Sequence, residues 1–478
     1  MREAECSGKP QEWEKNLDLD GWFHKRRPVP CLTLRAGRVT LAVKLHMKTR
    51  LVLALAVLLS LPGISLGAIK PVEHDYLREA EQALRDHDDD AALKALDSAL
   101  KDKPDDPSAH FWRGRVYAGK GEFDKALPDL DAAIKLQPNN ADAFAHRGYV
   151  YQKRHALDDA LADFNQALRL DPGNNLALFC RGLLHGERGD TKSALGDLDA
   201  AIAVNPENLE ALHSRGQIHV LRQELDAAMK DFNRCIELDP KDAAAYTGRG
   251  GAHYLKGDFK EAVEDYNKVV AMQPKDSRPL AQRGYALAGL GEKDKALADF
   301  EAALKLDPKD SAALMGRAEV CRVDKKWNQA LTDYDAVLQD APGDFRALLG
   351  KASVHYGSGD VEKALADYAD ITKQFPDEAQ PFNDYAWLLA TGPKDGLRSG
   401  ERAVELADHA CKLTEYKNSA YLDTLAAAFA EKGDFDNALK WQREAVKFAG
   451  DEPPDVQTDL KSRIPLYEQK KPYREEIK

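Results

Sequence analysis

The chain has 478 residues, 31% of them charged, and its 80 acidic side chains outnumber 68 basic ones, giving a formal charge of −12 and a pI near 5.6. That balance excludes a nucleic-acid polyanion as an expected partner. Most of the acidity reads as solvated helix faces, in keeping with a soluble scaffold.

Residues 1–46 carry scattered Trp, Cys and Arg without periodicity and stop just before a methionine placed as a start. They are expected to be a misassigned, disordered N-terminal extension; the alternative is a cytoplasmic tail on an uncleaved anchor. Met47-Lys48-Thr49-Arg50 then precedes the apolar run from Leu51 to Leu61, the breaker Pro62-Gly63, and Ser65-Leu66-Gly67 before Ala68. A basic start, an apolar stretch and a small-residue end make residues 47–67 a secretory signal peptide. The run is short for a membrane span, which needs about 20 residues, and no cysteine follows it to accept a lipid. Cleavage is expected near Gly67, leaving an exported chain, periplasmic or secreted. Membrane attachment is expected only if the segment stays uncleaved.

From there a 34-residue period takes over, with prolines at Pro104, Pro138, Pro172, Pro206, Pro240, Pro274, Pro308, Pro342 and Pro376. A fixed period of this length means one supersecondary unit copied along the chain, each copy burying its apolar face against its neighbours. Counted from Pro107, the eighth place of each copy holds a small residue: Gly114, Gly148, Gly182, Gly216, Gly250, Gly284, Ala318 and Ala352. Only a small side chain lets two helices close there. Twelve residues later comes an alanine in every copy, from Ala126 to Ala364, and four after that a large group: Leu130, Phe164, Leu198, Phe232, Tyr266, Phe300, Tyr334 and Tyr368. Phe144 and Tyr151, then Ala160, Phe164, Ala167 and Leu168, recur at the spacing of two amphipathic helices.

These glycine, alanine, aromatic and proline columns resemble the tetratricopeptide repeat (TPR) family. The resemblance implies an all-α α-solenoid, a right-handed superhelix of helix-turn-helix units. Residues 73–378 read as nine regular repeats, with turns at Gly121, Gly189, Gly257, Gly291 and Gly359. Residues 379–450 read as two irregular repeats, the first interrupted by a long loop from Thr391 to Gly396. Residues 451–478 read as a capping helix, from Asp455 to Gln469, and a frayed tail.

Two charged columns run in parallel. The seventh place holds Arg113, Arg147, Arg181, Arg215, Arg249, Arg283, Arg317 and Lys351; the twenty-third holds Asp129, Asp163, Asp197, Asp231, Asp265, Asp299, Asp333 and Asp367. Either each cation forks onto an Asp of its own or the neighbouring repeat, or the columns are independent and solvated. Cys180, Cys235, Cys321 and Cys411 read as buried small residues, being poorly placed for disulfide geometry.

No catalytic machinery is visible: there is no phosphate loop, nucleophile elbow or HExxH. His185, His219, His253 and His355 share the eleventh place with Tyr117 and Tyr151, which suggests aromatic packing. Stacked repeats about 10 Å apart cannot bring that column to one metal, whose ligands sit near 2 Å. Asp86 to Asp90 reads as a turn with a helix cap rather than a cation loop. No cofactor and no metal are expected.

The resemblance also implies a binding groove lined by places two, five, nine and twelve of each first helix. By position these are Phe111, Arg115, Tyr149, Phe179, Leu183, His213, Gln217, Tyr254, Tyr285, Met315, Glu319, Arg322, Arg346 and Tyr356. The Lys and Asn that co-chaperone TPR domains use to clamp a C-terminal carboxylate are absent from these columns. The expectation is a non-catalytic, exported scaffold holding a peptide or helix of a protein partner. The alternatives are an accessory or substrate-recruiting subunit of a secreted or envelope enzyme complex, and an enzyme with a site near Lys394 to Arg398.

Overall fold

The structure is a computed structural model that describes residues 75–475. The expected N-terminal extension and signal peptide lie outside the described residues. Those residues form α-helices and one 3-10 turn, with no strand among them. They divide into two compact bodies, one ending at Ala211 and the other starting at Leu212.

The N-terminal body contains the pairs α1 (Tyr76–Arg85) and α2 (Asp89–Asp102), α3 (Pro107–Gly119) and α4 (Phe123–Leu136), α5 (Ala141–Lys153) and α6 (Leu157–Leu170), and α7 (Asn175–Glu187) and α8 (Thr191–Val204). The division falls within α9 (Leu209–Leu221). The C-terminal body continues with α10 (Leu225–Leu238), then α11 (Ala243–Lys256) and α12 (Phe259–Met272), α13 (Arg278–Gly289) and α14 (Lys293–Leu306), α15 (Ser311–Val323) and α16 (Trp327–Asp340), and α17 (Phe345–Gly357) and α18 (Val361–Gln374). In the next pair, α19 (Ala379–Thr391) and α20 (Gly400–Leu413), the long loop forms a 3-10 turn at Asp395–Leu397. The last pair is α21 (Ser419–Lys432) and α22 (Phe435–Phe448), followed by α23 (Pro454–Ser462) and α24 (Ile464–Glu468).

The period is enforced by caps. Two residues after most of the periodic prolines stands an Asp or Asn whose side chain accepts backbone N–H bonds of the next helix: Asp106, Asn140, Asn174, Asn208, Asp242, Asp310 and Asp344. Each such cap is worth about 1 kcal/mol. The turn inside a pair needs a left-handed residue, supplied by Gly121 at φ 74° and Gly359 at φ 86°. Where glycine is missing, His155, Gln223 and Lys325 take the same conformation at φ 57–60°.

The knob-and-hole reading of the core holds, and the structure adds a second hole. A Cβ on Gly148 would stand 2.7 Å from Cε1 of Phe164 and 3.2 Å from the Ala160 carbonyl. The sixth place does the same for the aromatic of the preceding repeat: a Cβ on Gly350 would lie 2.4 Å from Cζ of Tyr334. Phe164, Phe300 and Tyr334 are fully buried in these slots, each contributing roughly 2–3 kcal/mol of apolar burial.

The charged columns form a ladder. Arg147 donates from Nε and Nη2 to the two carboxylate oxygens of Asp163 at 2.7 and 2.8 Å, and from Nη1 to Asp131 of the preceding repeat at 2.7 Å. The fork onto the same repeat's Asp recurs at Arg113, Arg181, Arg215, Arg249, Arg283 and Arg317. The backward bond recurs from Arg113 to Asp97, Arg181 to Asn165, Arg249 to Asn233 and Arg283 to Asn267. These bonds raise the Arg113, Arg147, Arg249, Arg283 and Arg317 guanidinium groups above their ordinary value. The rung at Lys351 differs: its Nζ donates to Asp335 at 2.7 Å, and Asp367 is taken by Nδ1 of His355 at 2.5 Å. An ammonium lacks the planar two-nitrogen edge that matches a carboxylate, and here it pairs with Asp335.

At the C-terminus α23 and α24 pack on α22, with Leu460 and Tyr467 fully buried. The described residues beyond them are held by hydrogen bonds, where a frayed segment was expected. Residues 471–475 have no regular secondary structure and are bonded to the helices behind them, as described below.

Candidate functional site

Within each body the first helices of successive pairs touch, as α3 with α5, α5 with α7, α13 with α15, α15 with α17 and α19 with α21. Successive second helices make no comparable contact among the described residues. Closer approach of the first helices makes theirs the inner layer in each body.

In the N-terminal body Phe111 is buried against the rings of Trp112 and His146, with centroids 5.3 and 5.6 Å away. It is a packing residue, not a free groove contact. Arg115 is exposed, its guanidinium carbon 4.8 Å from the Trp112 ring. Tyr149 is half-buried with the exposed Lys153 ammonium 5.6 Å from its ring, and Phe179 and Leu183 are half-buried on α7. Burial, aided by the charge of Arg115, pushes His146 down to about 4, so it is neutral at pH 7. The face is thus apolar and aromatic, with the exposed Arg115 and Lys153 beside its rings.

In the C-terminal body His213 is buried and its Nε2 sits 2.5 Å from Asp242, the residue that caps α11. It fixes a helix end and offers no surface to a partner; Met315 is likewise buried. Gln217 is half-buried. Tyr254 packs edge-on against Phe259 at 5.4 Å, and Tyr285 against Phe300 at 5.2 Å while its hydroxyl donates to the Ala312 carbonyl at 2.9 Å. Both tyrosines keep part of their rings exposed. Glu319 accepts from the Tyr334 hydroxyl at 2.5 Å and from Arg322 at 2.9 and 3.1 Å, so this pair is engaged internally. Arg346 is exposed. Tyr356 is covered by the tail: its hydroxyl donates to the carboxylate of Glu475.

Two of the eleventh-place histidines, His219 and His355, hydrogen-bond a carboxylate, while His185 and His253 only stand near one. Nδ1 of His219 lies 2.6 Å from Glu224, and Nδ1 of His185 and His253 lie 3.8 and 3.6 Å from Asp190 and Asp258. Each partner is five residues on, at the turn between the two helices, which is a spacing readable in the sequence. Asp88 caps α2, accepting from the Ala91 N–H at 2.9 Å. Cys180, Cys235, Cys321 and Cys411 form no disulfide and are buried, and burial pushes the Cys180 and Cys411 thiols up to about 12. Among the described residues no group of three or more His, Cys, Asp or Glu is disposed to hold a metal, and no helix is long and apolar enough to cross a membrane. The cleft between α2 and the α3–α4 turn, about 480 Å³, is open and lined by charges such as Asp90, Lys94, Lys120 and Lys125. Lys120 there already pairs with Asp90 at 2.8 Å.

The family profile described as Tetratricopeptide repeat matches residues 77–140, 116–175, 180–243, 230–277 and 325–379, and a second profile of that description matches residues 277–310. Together they span more than half of the chain. No curated protein matches it. Among solved structures it is similar to yeast Tom70, at 16% identity over 82% of this chain and 95% of that one with a TM-score of 0.42. It is similar also to a tetratricopeptide repeat protein from Parabacteroides merdae, at 22% identity over 51% and 97% with a TM-score of 0.37. A third is Pseudomonas aeruginosa pilF, at 20% identity over 45% and 97% with a TM-score of 0.40. Proteins built from this repeat are in general non-catalytic scaffolds that bind proteins or peptides.

Proposed function

The chain belongs to the tetratricopeptide repeat family, and on that premise we propose that it is an exported, non-catalytic scaffold holding an extended peptide or a helix of a protein partner against its first-helix layer. One observation carries this reading: partly exposed aromatic rings, Tyr149 and Phe179 in one body and Tyr254 and Tyr285 in the other, stand on that layer near exposed cations such as Arg115 and Arg346. Rigid aromatic surface beside arginine is the composition of interface hot spots, and an inner helical layer accommodates a peptide or an amphipathic helix. Export rests on the segment from Met47 to Gly67.

The test has two parts. Tyr149→Ala, Tyr254→Ala and Tyr285→Ala combined should lower capture of the native partner at least tenfold with helicity retained. Arg115→Glu with Arg346→Glu, at exposed positions, should do the same with helicity retained. Undiminished capture by both variants would move the site off this layer. Sequencing of the mature N-terminus should begin at Ala68, and a chain retaining Met47 would contradict cleavage.

A further inference from the structure

The last five described residues, without regular secondary structure, cross the inner layer of the final pairs, and three of them meet specific partners there. The Tyr473 ring lies 4.5 Å from the guanidinium carbon of Arg463 and 5.8 Å from the ring of Trp387. Arg474 pairs through Nη2 with Glu431 at 2.6 Å, and its Nη1 reaches toward the Ala390 carbonyl at 3.4 Å. The Glu475 carboxylate accepts from the Tyr356 hydroxyl and the Trp387 indole N–H, while its backbone N–H donates to the Thr391 carbonyl at 3.0 Å. The receptor groups sit on α17, α19, α21 and the end of α23. The platform under them is fixed, since Arg463 is 3% exposed and is bonded to Asp423 at 3.2 Å and Asp459 at 2.9 Å.

The hold on this segment is light. Lys470, at the turn into it, takes a left-handed φ of 57° that favours glycine. Lys471 and Arg474 are exposed, and Tyr473 and Glu475 only half-buried. Such contacts suffice because the segment is tethered, which gives it a millimolar effective concentration over its site. A free segment with the same side chains meets the same receptors and must displace the tail, so its apparent affinity is reduced by the fraction of time the tail is seated.

We propose that residues 473–475 are a tethered ligand, and that the groove beneath them is a site for a partner polypeptide presenting an aromatic, a cationic and a carboxylate side chain in succession. The inference rests on the scaffold reading above and specifies one of its sites. An aromatic ring packs against Trp387 and Arg463, a cation meets Glu431, and a carboxylate meets Tyr356 and the Trp387 N–H.

The test uses the full exported chain and a fluorescein-labelled peptide of residues 470–478, followed by anisotropy. Tyr473→Ser with Glu475→Lys in the chain should unseat the tail and raise affinity for the peptide at least tenfold over wild type. Placing the same two changes in the peptide should abolish binding. In the unseated chain, Tyr356→Phe with Trp387→Phe removes both donors to the carboxylate and should lower affinity at least tenfold. Equal binding by wild-type and unseated chains would overturn the proposal, as would binding that ignores the peptide changes. A wild-type dimer that dissociates on Tyr473→Ser with Glu475→Lys would also overturn it, in favour of tails exchanged between copies. If the peptide fails while capture through Tyr149, Tyr254 and Tyr285 persists, only the tail proposal falls.

Discussion

Replacing Arg147 by lysine keeps a cation and removes its fork, and the chain carries its own control for the exchange. At Lys351 the ammonium gives up the Asp of its own repeat for Asp335, and Asp367 survives because His355 takes it and because its side chain is 28% exposed. Asp163 has neither relief: its side chain is 7% exposed and the eleventh place of its repeat is Tyr151. The variant loses two charge-assisted bonds, at 2.7 and 2.8 Å, each worth about 1.5–3 kcal/mol. Water entering beside the shorter side chain offsets part of this, for an expected loss of about 2–3 kcal/mol. Stacked repeats couple mainly to their neighbours, so urea unfolding should report the loss and amide exchange should place it in α5 and α6, with α13 and α14 unchanged. Lowering the pH should shrink the deficit, because burial already pushes Asp163 up and protonation removes the stranded charge. Adding Tyr151→His should recover at least half of it by copying His355. A loss below about 0.5 kcal/mol, the range of an ordinary surface change, with exchange unaltered would refute the ladder as a determinant of stability.

His155→Gly and Lys325→Gly relieve left-handed backbone at turns, and each should stabilise by up to about 1 kcal/mol in chemical denaturation; destabilisation would mean that their side chains hold the turn. Gly350→Ala brings a Cβ to 2.4 Å from the buried Tyr334 ring and should destabilise by about 1–3 kcal/mol, whereas Gly343→Ala, with nothing within 4 Å, should be near neutral. His146 is held neutral with its folded value at about 4, below the ordinary 6.5. Its contribution is therefore complete above pH 6.5 and is lost as pH falls toward 4, at most about 3 kcal/mol. His146→Gln should flatten that limb of the stability profile, and an unchanged profile would assign it to other groups.

The 34-residue period made the fold legible, because a column repeated eight times separates the packing demand from local accident. Gly148 facing Phe164 and Arg147 facing Asp163 could be read this way, and the structure forks the second pair as the columns suggested. Single departures were harder. The lysine at position 351 and the histidine at 355 change together, yet only geometry shows that one replaces the other's contact. The sixth-place hole at Gly350 was missed because the column mixes glycine with Trp112, His146 and Cys180. Groove places taken from the family pattern ignored local bonding, so Phe111, His213 and Met315 proved buried, and Glu319 and Arg322 bonded internally. The docked tail had no signal at all: Tyr356 and Glu475 stand 119 residues apart and belong to no repeated column.

The inner-layer claim is tested most directly by a photo-crosslinking scan in the native compartment. A benzophenone residue is placed at Tyr149, Tyr254 and Tyr285, and for comparison at the exposed second-helix positions Lys192, Lys260 and Lys295, with adducts identified by mass spectrometry. The account predicts one partner polypeptide crosslinked from the tyrosine positions and absent from the lysine positions. The same partner crosslinked from the lysine positions alone would contradict it.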